Sequence, residues 1–184
     1  QADKLEDRQG IIRLAVDQNS TRKIKFNDII RGDIEFEEGL MGDIGIAKDL
    51  QTPLYHFAVV VDDYEMDITH VIRGEDHIAN TAKHILIQEA LGFDQPQYAH
   101  LPMILAADKS KLSKRHGATS IAEYHELGYL PDALVNYMAL LGWTPNDSSQ
   151  EILTKNEMIE QFDDISKIHK SGAVFNVQKL NWIN

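Results

Sequence analysis

The stretch from residue 68 to residue 105 constrains the fold more than any other part of the chain. Ile68-Thr69-His70-Val71-Ile72-Arg73 reads as a strand, and after the turn-forming Gly74-Glu75-Asp76-His77 the pattern changes to a helix over residues 81–91. Asn80 or Thr81 can cap that helix, Ala82, Ile85, Leu86 and Ala90 form one apolar stripe, and Gly92 ends it. A second strand is expected over residues 98–105. Strand, helix and strand in so short a span make a βαβ unit. Such a unit requires a crossover and implies a parallel sheet in an α/β fold.

The flanks are read against that unit. Upstream, Ile11-Ile12-Arg13-Leu14-Ala15-Val16 and Ile24-Lys25-Phe26 read as strands joined by the turn Asp17-Gln18-Asn19-Ser20, so a hairpin is expected there. Residues 28–36 continue the β pattern, with Gly32 breaking the run before Ile34 and Phe36. Tyr55-His56-Phe57-Ala58-Val59-Val60-Val61 is a near-continuous apolar run closed by Asp62-Asp63. It suits a buried strand or a buried helix equally. Beyond residue 117 the chain turns helical, over residues 121–127, 131–141 with Pro131 in the first turn, and 155–162 with Thr154 as cap. Gly128 and Gly142 are the expected stops. Domain boundaries are placed near Pro53 and Gly117.

Composition narrows the setting. The chain has 184 residues, 43% of them hydrophobic, enough for a core. Nothing reaches the run of about 18 apolar residues that a membrane helix needs. No charged-then-apolar leader opens the sequence, so a cytoplasmic protein with no membrane partner is expected. Without cysteine, disulfides and cysteine-held zinc are excluded. His70, His77 and His84 recur every seven residues, but they fall on a strand and around a helix start, so no metal site is expected. The net charge of −11 argues against general attraction to a polyanion, so any nucleic-acid contact must be local. Two basic clusters can supply it, Arg22-Lys23-Ile24-Lys25 and residues 109–116.

The second cluster contains Lys111-Leu112-Ser113-Lys114-Arg115, three cations and a hydroxyl just beyond the second strand of the βαβ unit. Ligands of parallel sheets bind at the carboxyl ends of the strands, where such a loop can clamp a triphosphate. Its charge-assisted hydrogen bonds strengthen as charge builds on a leaving pyrophosphate, which favours the transition state over the ground state. Taken alone, the same residues also make an ordinary solvated basic turn.

The five residues resemble the second signature, of Lys-Met-Ser-Lys-Ser type, of class I aminoacyl-tRNA synthetases, and their flanks are similar to the bacterial-type glutamyl-tRNA synthetases. Thr52-Pro53-Leu54-Tyr55-His56-Phe57-Ala58 with Val59-Val60-Val61-Asp62-Asp63 resembles the family's strand that meets glutamate. Ile68 through Thr81, with Arg73-Gly74-Glu75-Asp76-His77 at its centre, resembles the family's most recognisable block. Gly128-Tyr129-Leu130-Pro131-Asp132-Ala133-Leu134, Leu141-Gly142-Trp143, Val174-Phe175-Asn176 and Lys179-Leu180-Asn181-Trp182-Ile183-Asn184 resemble its helical stem-contact region.

The resemblance implies the second half of a Rossmann-type catalytic domain over residues 54–116. It also implies a β-rich end of an acceptor-stem insertion over 1–53 and a helical stem-contact domain over 117–184. It implies an ATP-dependent glutamate-tRNA ligase that makes glutamyl adenylate and passes the acyl group to tRNA(Glu), with ATP and Mg²⁺ and in a monomeric parent. Carried over by position, Lys111, Ser113, Lys114 and Arg115 would be catalytic. Together with Leu112 and Ile104 they would bind ATP, with Lys114 closest to phosphate. Tyr55, Arg73 and Asp76 would meet L-glutamate, since a planar guanidinium gives a carboxylate two parallel hydrogen bonds. Without the resemblance, Tyr55 reads as a half-buried core aromatic and Arg73 as an ion-pair partner of Glu75 or Asp76.

The chain departs from the family pattern in three ways. Some relatives carry an asparagine where this chain has Val59, so that contact with the amino acid falls to a neighbour such as His56. No His-x-Gly-His signature occurs in these 184 residues, and the family's anticodon-binding domain is expected beyond Asn184 in the parent. The chain is therefore expected to be an internal piece of a longer parent, inactive alone. Two further readings stay open: a shortened relative that glutamylates a modified tRNA base, and a non-catalytic tRNA-binding or assembly module.

Overall fold

The computed structural model describes residues 10–113, 115 and 120–184. Its fifteen named strands and helices are mixed α/β. The strands are β1 (Ile12–Leu14), β2 (Lys23–Asp28), β3 (Gly32–Glu37), β4 (Ile44–Asp49), β5 (Thr52–Pro53), β6 (His70–Gly74), β7 (Gln97–Leu101), β8 (Ile104–Leu105) and β9 (Ala173–Val174). The helices are α1 (Tyr55–Glu65), α2 (Ile78–Leu91), α3 (Ile121–Glu126), α4 (Pro131–Gly142), α5 (Lys155–Gln161) and α6 (Val177–Ile183). One sheet has the order β3-β2-β7-β6, a second β1-β4-β5, and a third pairs β8 with β9. By contacts the chain forms two units. The first runs to Asp28 and continues through Gly32–Val71 and His77–Tyr98; the second comprises Ile29–Arg31, Ile72–Asp76 and Ala99–Asn184.

In the first unit the expected β1–β2 hairpin does not form. The turn itself exists, with Ser20 N donating to Asp17 O at 3.0 Å, but β1 pairs with β4 and β2 pairs with β3. A turn sequence reverses the chain without choosing the partner. That choice follows burial: in β2, Ile24, Phe26 and Asp28 alternate inward, and Gly32, at φ +85°, starts the return strand in register Ile24↔Phe36. β2 also meets β7 in parallel through Asp28↔Tyr98, so the sheet is mixed rather than parallel throughout.

Residues 52–63 resemble a family strand, yet residues 55–65 are a helix here. Three consecutive valines favour a strand locally, yet α1 packs on α2 and β4 and buries Val60. Tertiary packing overrides the weak propensity of the run. Helix α2 begins at Ile78, earlier than expected, after a 3₁₀ turn over Glu75–His77. Asn80 and Thr81 therefore lie inside its first turn, and His77 occupies the cap position without a side-chain cap bond. Thr81 Oγ1 instead donates back to His77 O at 3.4 Å. Thr81, Ala82, His84, Ile85, Leu86, Ile87 and Gln88 are buried whereas Ala90 is exposed, so the helix is enclosed on more than the predicted stripe. Gly92, at φ +70°, ends it.

The predicted strand over residues 98–105 is two strands. Pro102 cannot donate to a ladder, and after it the chain joins a different sheet, with Ile104↔Ala173 and Leu105↔Val174 in parallel. This approach is close: a Cβ on Gly172 would lie 2.7 Å from Met103 O. In the second unit α3, α4 and α5 follow their expected starts, whereas α6 is not among the expected helices. Pro131 opens α4, and Ser120 and Thr154 form capping boxes with Glu123 and Glu157. Gly142 is the last residue of α4 rather than its stop, and Trp143 follows as cap. Tyr124, Leu134, Tyr137 and Leu180 form one apolar cluster, and Trp143, Leu153 and Met158 another.

Candidate functional site

Lys111 and Leu112, the first two residues of the signature, lie on the second arm of a tight hairpin of the second unit. Leu112 N donates to Ile104 O at 3.0 Å, Leu105 and Lys111 form an antiparallel bridge, and Ala106 N donates to Ser110 O at 2.8 Å. The tip is closed by Asp108 Oδ1, which accepts both Ser110 N (2.9 Å) and Ser110 Oγ (2.7 Å), while Lys109 adopts φ +64°. This turn chemistry holds the two arms together and delivers Lys111 to a fixed place. Its Nζ lies 2.7 Å from Asp76 Oδ2, immediately beyond the end of β6. Leu112 and Ser113 are half-buried and Arg115 is exposed. Lys114, the residue expected to touch phosphate, lies outside the described residues, as do 116–119.

Strand β6 ends on Arg73-Gly74, and the next two acids are both held. Glu75 Oε2 pairs with Arg31 Nη2 at 2.5 Å, and its other oxygen accepts Met103 N at 2.8 Å. Asp76 takes Lys111. Asp76 Oδ1 lies close over Gly74, where a Cβ would stand 2.6 Å from it and displace the carboxylate. Arg73 donates from Nε to His100 Nε2 at 3.2 Å, and the His100 carbonyl accepts Arg31 Nε at 3.3 Å. Arg73, Asp76, Ile104 and Lys111 thus belong to one bonded neighbourhood in the second unit. It pairs cations with carboxylates at a strand end, an arrangement able to hold anionic groups.

Sequence reasoning did not single out His100 and Arg31 as members of it. The available signal was a lone polar side chain in an apolar run, Ile29-Ile30-Arg31 and Tyr98-Ala99-His100-Leu101, since buried polar groups need partners.

Tyr55 belongs to the first unit. It is half exposed rather than a core aromatic, and its ring lies 5.4 Å from His56, 5.9 Å from His84 and 6.3 Å from His77. His56 Nδ1 and buried His84 Nε2 share a hydrogen bond of 3.1 Å, whereas His70 is exposed and bonded to Thr69. Among the described residues no group of three or more His, Cys, Asp or Glu is arranged to hold a metal ion. A cleft of about 530 Å³ in the second unit, lined by Leu101, Met103, Ile104, Met138, Trp143 and Phe162, is apolar and unsuited to charged substrates. Among the described residues no helix is long and apolar enough to cross a membrane.

The family model described as tRNA synthetases class I (E and Q), catalytic domain, matches residues 1–182. The chain belongs to this class I synthetase family. A glutamate-tRNA ligase of Desulforamulus reducens is 52% identical over 179 residues, which are 97% of this chain and 36% of that protein. One from Aquifex aeolicus is 52% identical over 179 residues, 97% of this chain and 37% of its own. Among solved structures, the glutamate tRNA ligase of Elizabethkingia meningosepticum in complex with its amino acid aligns with a TM-score of 0.85 and 42% identity. That alignment covers 95% of this chain and 38% of that one. The class I α/β fold expected from the sequence is therefore present. The chain spans little more than a third of the length of the relatives it matches, 36% in the first case.

Proposed function

We propose that the protein to which this chain belongs is a glutamate-tRNA ligase working in the cytoplasm on ATP, L-glutamate and tRNA(Glu). The observation that carries the reading is the ion pair between Lys111 and Asp76, which ties the signature hairpin to the end of β6, beside Arg73. The names of the similar proteins support it. In the first step a glutamate carboxylate oxygen attacks the α-phosphorus of ATP. The bond to the bridging oxygen breaks, and pyrophosphate leaves with the electron pair. In the second step a terminal ribose hydroxyl of the tRNA attacks the mixed anhydride, loses its proton and releases AMP.

Neither step needs a covalent enzyme intermediate; both need positioning and charge neutralisation. Arg73 and Asp76 are assigned to glutamate, and Tyr55 is assigned to it residue by residue from the resemblance. Lys111, Ser113, Lys114 and Arg115 are assigned to the phosphates, with the backbone at Leu112 and Ile104 against the nucleotide. Each cationic donor aimed at the leaving group contributes about 3 kcal/mol to the transition state. Mg²⁺ belongs to this reading as the counter-ion that ATP brings. Residues 1–53, 54–116 and 117–184 are assigned to the insertion end, the second half of the nucleotide-binding fold and the stem-contact region.

The test is ATP-pyrophosphate exchange by the full-length protein in the presence of tRNA(Glu), offered glutamate or glutamine. Exchange should require glutamate, and Lys114→Ala should depress the activation rate far more than it weakens glutamate binding. An equal effect on both removes the transition-state role.

A further inference from the structure

We propose that His100 is a positioning residue for Arg73, setting the orientation in which its guanidinium receives the substrate carboxylate. The inference rests on the glutamate role assigned to Arg73 and deepens it. His100 has no exposed surface, yet it lies on β7 among the buried residues Tyr98 and Ala99. A polar ring in such a place needs partners. One of them is Arg73 Nε, 3.2 Å from His100 Nε2. Arginine carries only donors and keeps its proton, so Nε2 must be the acceptor. The ring is then neutral, with its own proton on Nδ1. The guanidinium is planar and turns as one body, so a bond at Nε also directs the two terminal nitrogens.

The histidine is itself held. Its carbonyl accepts Arg31 Nε at 3.3 Å, Arg31 Nη2 pairs with Glu75 Oε2, and Glu75 Oε1 accepts Met103 N. Glu75 is two residues from Arg73 on one strand end, and Met103 is three residues from His100 on the other. The network therefore fastens both ends of the Arg73–His100 bond to the same carboxylate. Lys could not replace Arg73 in it, because an ammonium cannot donate to His100 and present a flat pair of donors elsewhere.

The experiment is glutamate-dependent ATP-pyrophosphate exchange by the full-length protein in the presence of tRNA(Glu), with KM for glutamate, KM for ATP and kcat measured separately for three substitutions. His100→Leu removes the acceptor, His100→Gln places an amide oxygen near the position of Nε2, and His100→Asn keeps polarity but withdraws it from Arg73. His100→Leu and His100→Asn should raise the glutamate KM roughly tenfold to a hundredfold, the size expected for losing a bond to a charged group, and shift the ATP KM by less than about twofold. His100→Gln should return the glutamate KM to within about fivefold of the original. If His100→Leu does not fold, the Gln and Asn pair decides by the same criterion. A purely structural role predicts that KM values for both substrates move together, or that Gln is no better than Asn; either result overturns the proposal. Lack of glutamate-driven exchange by the unsubstituted protein with tRNA(Glu) present overturns the ligase reading itself, which the substitutions alone cannot do.

Discussion

The neighbourhood of β6 and the signature hairpin, and the helices α3 to α6, share the second unit but are held by different means. Around β6 the contacts are charged or polar side chains reaching across distant parts of the sequence: Arg31 to Glu75, Asp76 to Lys111, Arg73 to His100. The helices are held by apolar clusters and by caps that each span only three residues, as at Ser120 and Thr154. The difference teaches where each region's free energy goes. The helices bury apolar area and satisfy their own backbone ends, which stabilises the fold. The β6 region confines charge, which adds little stability where water reaches it but prepares a surface for anions.

Substitutions can break that contrast. The largest expected effect is that of Arg73→Lys on the full-length protein, which removes a planar pair of donors. Its glutamate KM should rise about a hundredfold, equivalent to about 2.7 kcal/mol, while stability falls by less, about 1 kcal/mol for the lost bond to His100. A loss of stability as large as the loss of binding would erase the distinction between the two regions.

Next comes Tyr137→Phe in the helical part. The buried Tyr137 oxygen accepts Asn176 N at 2.6 Å, and removing it leaves a donor unpaired at a cost of about 1–2 kcal/mol, read by urea unfolding. Burial pushes the Tyr137 phenol above its ordinary value, against the smaller opposing pull of the Asn176 amide. A raised folded value means that the native state holds the proton more tightly than the unfolded chain. The tyrosine's contribution is thus full below the ordinary phenol range and is lost as pH rises through the folded value. The phenylalanine variant should lose less stability on going to strongly alkaline pH.

Thr154→Ala should cost about 1 kcal/mol by thermal unfolding, since it removes one half of the capping box on α5. The partner carboxyl, Glu157, is held below its ordinary value mainly by the Thr154 backbone amide and then by the Thr154 hydroxyl. Its contribution is present above the ordinary glutamate range and is lost as pH falls through the depressed value, so the cost of the substitution should shrink in acid.

The smallest expected effect on stability is that of Asp76→Asn. The side chains of the Lys111–Asp76 pair are 63% and 41% exposed, so unfolding should change by less than about 0.5 kcal/mol while activity of the full-length protein falls. A larger stability change would make the hairpin's anchor a structural element of the same kind as the helix caps.

The helices were the legible part of the sequence, because their signals are local. Pro131, Thr154 and Gly92 act within one turn of where they stand, and each does in the structure what its residue type allows. The signature cations were equally visible as residues, and the block around Arg73 gave the family. What the sequence hid was partnership. Nothing in residues 11–26 says that β1 will leave its neighbour for β4, and nothing near Ile29-Ile30-Arg31 says that the arginine will be held by an acid from a later strand end. The run Tyr55 to Val61 was ambiguous because a short apolar stretch fits either element, and packing against α2 and β4 settled it as a helix.

By itself the sequence determined the family, the cationic signature and the starts of α3, α4 and α5, since each depends on residue type and short spacing. Only the tertiary structure decided the strand partners and the ties from Lys111 to Asp76, Arg31 to Glu75 and Arg73 to His100. Charged and polar groups far apart in a chain have no periodicity to announce them. They meet where the fold brings distant strand ends together, and the buried ones among them, such as His100, need hydrogen-bond partners there.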